Sequence, residues 1–274
     1  MNKEEAKRLF IEINAVHYSP NTLRPYTITI NQFLDFFPEI DLVEDFTSKH
    51  VSDYFNHFMN LKYQPSGIRN KYFVLSSFFL TLIESGIINI NPMCSFCPPK
   101  EHQNIMPIVS FQIMDKLREA TNNNLRDRTV IELLWATGVN VRELCNMTLS
   151  DMHLEGRYIC LPNNRKVLFT TSCRKYLYDY IRERNNSSPL SPYLFPSSNS
   201  EPLTSQSIRE IIKKYCRVAG IKINITPLSF RRSFAAILFD NKVPIEFIIK
   251  FLGHRDSKTT YRYKIYADFL EDIL

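Results

Sequence analysis

Three side chains near the end of the chain, Arg231, His254 and Tyr263, are separated by 22 and 8 intervening residues. Their types suit attack on a phosphodiester. A guanidinium stays cationic and can bind two phosphate oxygens at once. An imidazole can donate to another oxygen. A phenol can act as a nucleophile once it is helped to lose a proton from a group whose ordinary pKa is near 10. Each residue also has a plain structural reading. Tyr263 lies between Tyr261 and Tyr266 and could be a core aromatic, His254 after Gly253 could cap a helix, and Arg231 beside Arg232 could be a solvated cation.

The stretch Thr226–Tyr266 that carries these groups reads as three helical pieces. Ser229 suits the cap of a helix through Arg231, Phe234, Ala235 and Leu238. Pro244 suits a first helical position and Gly253 a C-terminal stop for a helix holding Ile245, Ile248, Ile249 and Leu252. Asp256 or Ser257 can cap a third helix, expected to carry Tyr261, Tyr263 and Tyr266. This pattern resembles the C-terminal signature of the tyrosine recombinases (phage integrase family). There an Arg opens one helix, a Leu-Gly-His precedes the last turn, and the nucleophilic Tyr lies nine residues after the His. The matching residues are Arg231, Leu252-Gly253-His254 and Tyr263; Tyr261 and Tyr266 fit that spacing less well.

A second block carries the same resemblance. Ala136-Thr137-Gly138-Val139-Asn140-Val141-Arg142-Glu143-Leu144, followed by Leu149-Ser150-Asp151, is similar to the family's first box, Ala-Thr-Gly-Leu-Arg-x-x-Glu-Leu with a later Asp. The position of the family's first catalytic Arg is Asn140. Arg142, about 200° around a helix from it, is expected to face elsewhere. The second box of the family reads His-x-x-Arg, and the His position is Leu228, which neither accepts a proton nor donates to phosphate. Losing one transition-state donor costs about 100- to 1,000-fold in rate, so these departures bear on activity.

Between the boxes, residues 157–161 and 167–171 are β-prone, and Pro162-Asn163-Asn164-Arg165-Lys166 reads as the turn of a hairpin. The family places a mobile catalytic Lys on this hairpin. Direct alignment sets Pro162 opposite it, leaving Lys166 or Arg165 for the role of proton donor to the leaving 5′-oxygen, or a solvent-exposed basic turn. Arg165 is also a candidate substitute for the missing first Arg.

Length and composition agree with two domains of ordinary globular character. The 274 residues are 44% hydrophobic and 23% charged, enough for two cores. Residues 1–100 hold nine basic and ten acidic side chains, leaving 25 basic and 18 acidic for residues 101–274. A basic C-terminal part fits a polyanionic partner, since each phosphate neutralised by Lys or Arg releases counterions; a solvated basic surface reads the same way. The acids and amphipathic period of the first 14 residues differ from a signal peptide, and no run of 18 apolar residues occurs, which points to a cytoplasmic protein. Six scattered cysteines read as reduced thiols, and Cys94-x-x-Cys97, without a second pair or His partners, reads as linker.

Helices are expected over 3–14 (Leu9, Phe10 and Ile13 on one side), from Ser19-Pro20 to Pro38, from Thr47 or Ser48 through Met59, and from Ser66 to Gly86, making a small bundle. Ser19, Pro20, Thr22 and Tyr26, with Gly86, Ile88, Asn91 and Pro92 later, are similar to the family's DNA-binding N-terminal domain. Residues 1–88 are therefore expected to form a helical core-binding domain, 89–104 a linker, and 105–274 a catalytic domain. Two helices after Ser110, the hairpin, and helices near 173–184 and 204–219 fall within the last of these. The resemblance spans residues 18–266 and implies a mostly α, two-domain recombinase fold with a small hairpin or sheet. It implies site-specific recombination of duplex DNA by a mobile-element integrase through a 3′-phosphotyrosine, with no metal or nucleotide cofactor, no membrane and no small-molecule substrate. It also implies a homo-tetramer on DNA; the apolar tail Phe269–Leu274 could dock on a neighbouring protomer or in cis. Asn140 and Leu228 favour an alternative, a weakened relative that binds DNA as a regulatory or accessory factor. A two-domain helical protein with no DNA role is the third reading.

Overall fold

Asn2 starts the first helix because its side chain accepts from the Glu5 amide while the Glu5 carboxylate accepts from the Asn2 amide, a reciprocal cap. Helix α1 (Lys3–Asn14) is followed by α2 (Pro20–Asp35), α3 (Ser48–Asn60) and α4 (Pro65–Glu84), with Pro at the first turn of α2 and α4. The buried face of α1 is Ala6, Phe10 and Asn14. Ile13, expected inside, is 42% exposed, because the four-residue step from Ala6 and Phe10 carries the stripe to Asn14, whose amide donates to the Phe10 carbonyl. The computed structural model describes residues 1–100, 105–187 and 191–269, and the chain divides into units Met1–Gln103 and Asn104–Leu274. Residues 270–274 of the apolar tail lie outside the described residues, as do 101–104 of the expected linker.

The first unit is held by rings. Phe33, fully buried, has Phe37, Phe46, Tyr54 and Phe79 around it at centroid separations of 4.9–5.7 Å. Burial of each such ring contributes about 1.5–3 kcal/mol, with edge-to-face pairing adding to it. The expected linker begins with structure of its own: Asn91 caps a 3₁₀ turn over Pro92–Ser95, Met93 is buried, and Phe96 stacks on Phe55 at 4.4 Å. That segment therefore belongs to the first unit. Cys94 and Cys97 are exposed free thiols.

The second unit holds α5 (Phe111–Ala120), α6 (Leu125–Thr137), α7 (Val141–Asn146), strands β1 (Met152–His153), β2 (Tyr158–Leu161) and β3 (Arg165–Leu168), then α8 (Thr171–Ser187), α9 (Ser205–Val218), α10 (Pro227–Asp240), α11 (Ile245–Leu252) and α12 (Ser257–Tyr261), ending in a 3₁₀ segment Lys264–Phe269. Helix α6 is buried on nearly every side, and its charged residues are paired: Glu132 accepts from Arg118 and Arg128, and Asp127 from Tyr215. Buried charge is tolerated only with such partners. The three strands form an antiparallel sheet in the order β1-β2-β3.

The hairpin corrects the sequence reading. Leu161 pairs with Arg165 and Cys160 with Lys166, so only Pro162, Asn163 and Asn164 turn. Both asparagines take the left-handed region, at φ +61° and +56°, which Asn enters more readily than most residues. Arg165 and Lys166 thereby become strand residues with opposite faces. Two capping expectations also shift: α10 starts from Thr226, with Ser229 as its reciprocal partner, and Pro244 is the residue before α11. Helix α12 ends at Tyr261, leaving Tyr263 in the following turn and Tyr266 in the 3₁₀ segment.

Candidate active site

Two helix ends and a buried turn of α10 meet around Arg231. Gly138 ends α6 at φ +59° and Gly253 ends α11 at φ +67°, left-handed stops that glycine adopts without a Cβ penalty. Helix C-termini carry unsatisfied carbonyls and partial negative charge. Arg231, 7% exposed, occupies that environment: Nη1 donates to the Gly138 carbonyl at 2.8 Å and Nη2 to the Leu252 carbonyl at 2.5 Å. Burial lowers its pKa from the ordinary value; Tyr263 and Glu143 oppose the shift and Arg165 adds to it.

His254 is turned back onto the same guanidinium by the stop at Gly253. Its Nε2 lies 3.0 Å from Arg231 Nη2 and its Nδ1 2.7 Å from Thr260 Oγ1. A guanidinium only donates, so Nε2 accepts and the ring proton sits on Nδ1, pointing to the threonine. Burial, then the charges of Arg231 and Arg165, push the imidazole down to about 4 against the partial opposition of Glu143. The ring is neutral near pH 7. In this arrangement the imidazole receives a hydrogen bond from Arg231.

Tyr263 completes the cluster. Its ring is half-buried and stacks on His254 at 5.6 Å and 21°, and its hydroxyl is among the groups that act on Arg231. The neighbouring tyrosines go elsewhere: Tyr261 is 54% exposed, and Tyr266 is buried under the Arg232 guanidinium. Arg232, too, is buried, directed at the Pro107 carbonyl and not at solvent. Arg231, His254 and Tyr263 thus stand together.

The hairpin contributes one residue of its basic pair. Arg165 faces inward, with Nη1 3.3 Å from the Phe251 carbonyl and Nη2 2.5 Å from Glu143 Oε1. Lys166 is exposed on the other face of β3, its Nζ 4.8 Å from the Tyr158 ring centre, so the structure does not bring it to the site. Asn140 caps α7: its side chain accepts from the Glu143 amide while the Glu143 carboxylate accepts from the Asn140 amide, both at 2.9 Å. Arg142 is exposed. Leu228 is 44% exposed at the start of α10. Among the described residues, no group of three or more His, Cys, Asp or Glu side chains is placed to hold a metal ion, and no helix is long and apolar enough to cross a membrane.

Residues 108–268 match the phage integrase family, and residues 6–88 match the phage integrase N-terminal SAM-like domain. The chain belongs to the phage integrase family. A tyrosine recombinase of Agathobacter rectalis is 30% identical over 263 residues, covering 88% of this chain and 85% of that protein. A lambda integrase tetramer bound to a Holliday junction shares the fold at a TM-score of 0.78 and 18% identity, covering 96% of this chain and 77% of that one. The Tn1549 transposon integrase in complex with circular intermediate DNA does so at 0.77 and 16%, covering 94% of each chain. In this cluster, Glu143 and Thr260 are the participants that sequence reasoning missed. Glu143 was visible as part of the first box, but its contact with Arg165 depends on the strand register. Thr260 carries no signal beyond standing six residues after His254.

Proposed function

We propose that this protein is a recombinase that cuts and rejoins duplex DNA at a specific site through a 3′-phosphotyrosyl bond, as the integrase of a mobile element. The observation that supports it most is the meeting of the Tyr263 ring, the Arg231 guanidinium and the His254 imidazole at the ends of two helices. In the proposed step the Tyr263 oxygen attacks phosphorus, the bond to the 5′-oxygen breaks, the phenol loses its proton and the leaving oxygen gains one. Arg231 takes the developing charge on the phosphate oxygens during attack. A phosphate that engages Arg231 replaces the imidazole as acceptor and frees His254 Nε2. The phosphotyrosyl ester conserves the phosphodiester energy, so the reverse attack by a 5′-hydroxyl reseals the strand.

The excess of basic residues in 101–274 supplies the electrostatic attraction for duplex DNA, and assembly as a tetramer on the DNA accords with the tetrameric lambda integrase complex. A pool of nicked duplexes with a randomised core tests the reading, because a nick lets the leaving strand diffuse away and traps the intermediate. The expected result is an SDS-stable, protease-sensitive adduct that Tyr263→Phe abolishes while duplex binding persists. Salt-dependent duplex binding without adduct would instead mark a DNA-binding relative that no longer cleaves, the reading that Asn140 and Leu228 favour. Absence of any duplex binding would end both.

A further inference from the structure

A guanidinium is missing where α7 begins, and a guanidinium from another element has been brought alongside. Asn140 commits its side-chain oxygen to the Glu143 amide and carries no charge. The other end of Glu143 meets Arg165, which reaches across from β3. Glu143 therefore ties the start of α7, where the resemblance expects an arginine, to an arginine 25 positions later in the chain.

The seat that Arg165 occupies is shaped for it. A Cβ built on Gly253 would stand 2.9 Å from the Arg165 Cζ and closer still to Nη1, so the helix stop that orients His254 also clears the space for this guanidinium. Its Nη1 uses the Phe251 carbonyl and Arg231 Nη2 uses the next one, that of Leu252. Two cations are thus held on successive carbonyls of one helix end. The Glu143 contact is close but off the hydrogen-bond axis: Nη2 has an ion pair and no directed acceptor. Arg165 and Arg231 are both nine-tenths or more buried on their side chains, and the Glu143 carboxylate lies beside them. Burying two like charges near each other is unfavourable unless an anion shares the site. The arrangement carries one positive charge in excess, and Arg165 Nη2 is a buried donor with no hydrogen-bond acceptor.

Resting on the recombinase reading above, we infer that Arg165 is the second phosphate-binding guanidinium of this site, relocated from the start of α7 to β3. Glu143 is its positioning residue, holding the fork in place before DNA arrives. The ligand is the scissile phosphate of duplex DNA, clamped between Arg231 and Arg165. Position 140 and position 165 are alternative origins of one charge.

The adduct assay with the nicked-duplex pool, run on the full chain, tests this. Arg165→Ala is expected to slow adduct formation about 100- to 1,000-fold, the loss typical of one transition-state donor, with binding to the captured duplex little changed. Adding Asn140→Arg to Arg165→Ala is expected to restore at least about tenfold of that rate, a recovery that a merely structural Arg165 would not allow. If Arg165→Ala fails to fold, Arg165→Gln keeps a donor toward Phe251 and Glu143 without the charge, and the same loss is expected. Wild-type adduct formation together with an undiminished rate in the Arg165 variants overturns this inference alone. No recovery in the double variant overturns the equivalence of the two positions. A wild-type chain that captures no DNA removes the recombinase reading itself, and this inference with it.

Discussion

The two units bury different chemistry. In the first, the described buried polar side chains are Asn14 and Thr81, and the core is a set of interlocking rings, Phe10, Phe33, Tyr54, Phe55, Phe78 and Phe79. The second has a mainly aliphatic core and buries Asp127, Arg128, Glu132, Arg184, Arg231 and Arg232 among it. Rings need only shape and stacking, and they give area-based stability without constraining charge. Buried ions need a partner for each donor, which the second unit supplies with carboxylates and helix-terminal carbonyls. Catalytic charge can be assembled only in the second kind of interior, because its scaffold already holds cations out of water at defined positions.

That contrast can be broken by substitution. Phe33→Ala is expected to be the largest stability effect, about 3–5 kcal/mol from the lost ring and its cavity. The chain has a single tryptophan, Trp135 in the second unit, packed edge-on against Phe111. Tryptophan fluorescence therefore follows the second unit while far-UV circular dichroism follows both. Phe33→Ala should lower the denaturant midpoint by circular dichroism and leave the fluorescence midpoint in place; equal shifts in both would show that the cores do not unfold separately. Glu132→Gln keeps shape and removes charge. It should cost about 1.5–3 kcal/mol, since Arg118 and Arg128 lose a charged acceptor, and here the fluorescence midpoint should move.

A pH titration sharpens the same point at the site. His254 titrates near 4 in the folded chain against an ordinary 6.5, so the unfolded chain takes up the proton first. Its contribution to stability is complete above about pH 6.5 and is lost as pH falls toward 4. Because the ring is only half-buried, solvent screens part of this, and the melting temperature should drop by only a few degrees, on the order of 1 kcal/mol. His254→Gln should flatten that slope; an unchanged slope would assign it to other groups. The smallest effect is expected from Lys166→Ala, whose exposed side chain lies over Tyr158. Its adduct rate should stay within about tenfold of wild type, well short of the loss of a full transition-state donor. A loss as deep as that of Arg165→Ala would show that β3 presents its other face to DNA.

Much of the fold was legible because its signals are local. Pro at the first turn of α2, Ser110 before α5 and Gly253 after α11 act within a turn of where they stand. The errors came where a one-residue choice depends on contacts. Extending the turn through Lys166 put both basic residues at the hairpin tip, whereas Asn163 and Asn164 absorb the left-handed conformations and pairing resumes at Arg165. In a strand, that single position decides which of two neighbours points inward.

From residue types and spacing alone, the chain could be placed among the tyrosine recombinases, with Arg231, His254 and Tyr263 as its candidate set and Asn140 and Leu228 as its departures. Those are properties of short windows, where helical caps and fixed intervals suffice. Which arginine faces Glu143, which ring nitrogen of His254 carries the proton, and why Gly253 must lack a side chain were decided by the tertiary structure. The first and last depend on groups brought together from β3, α7 and the end of α11, separated by up to 110 positions in the chain, and the second on Arg231 of α10 meeting the residue after α11; no local pattern encodes such meetings.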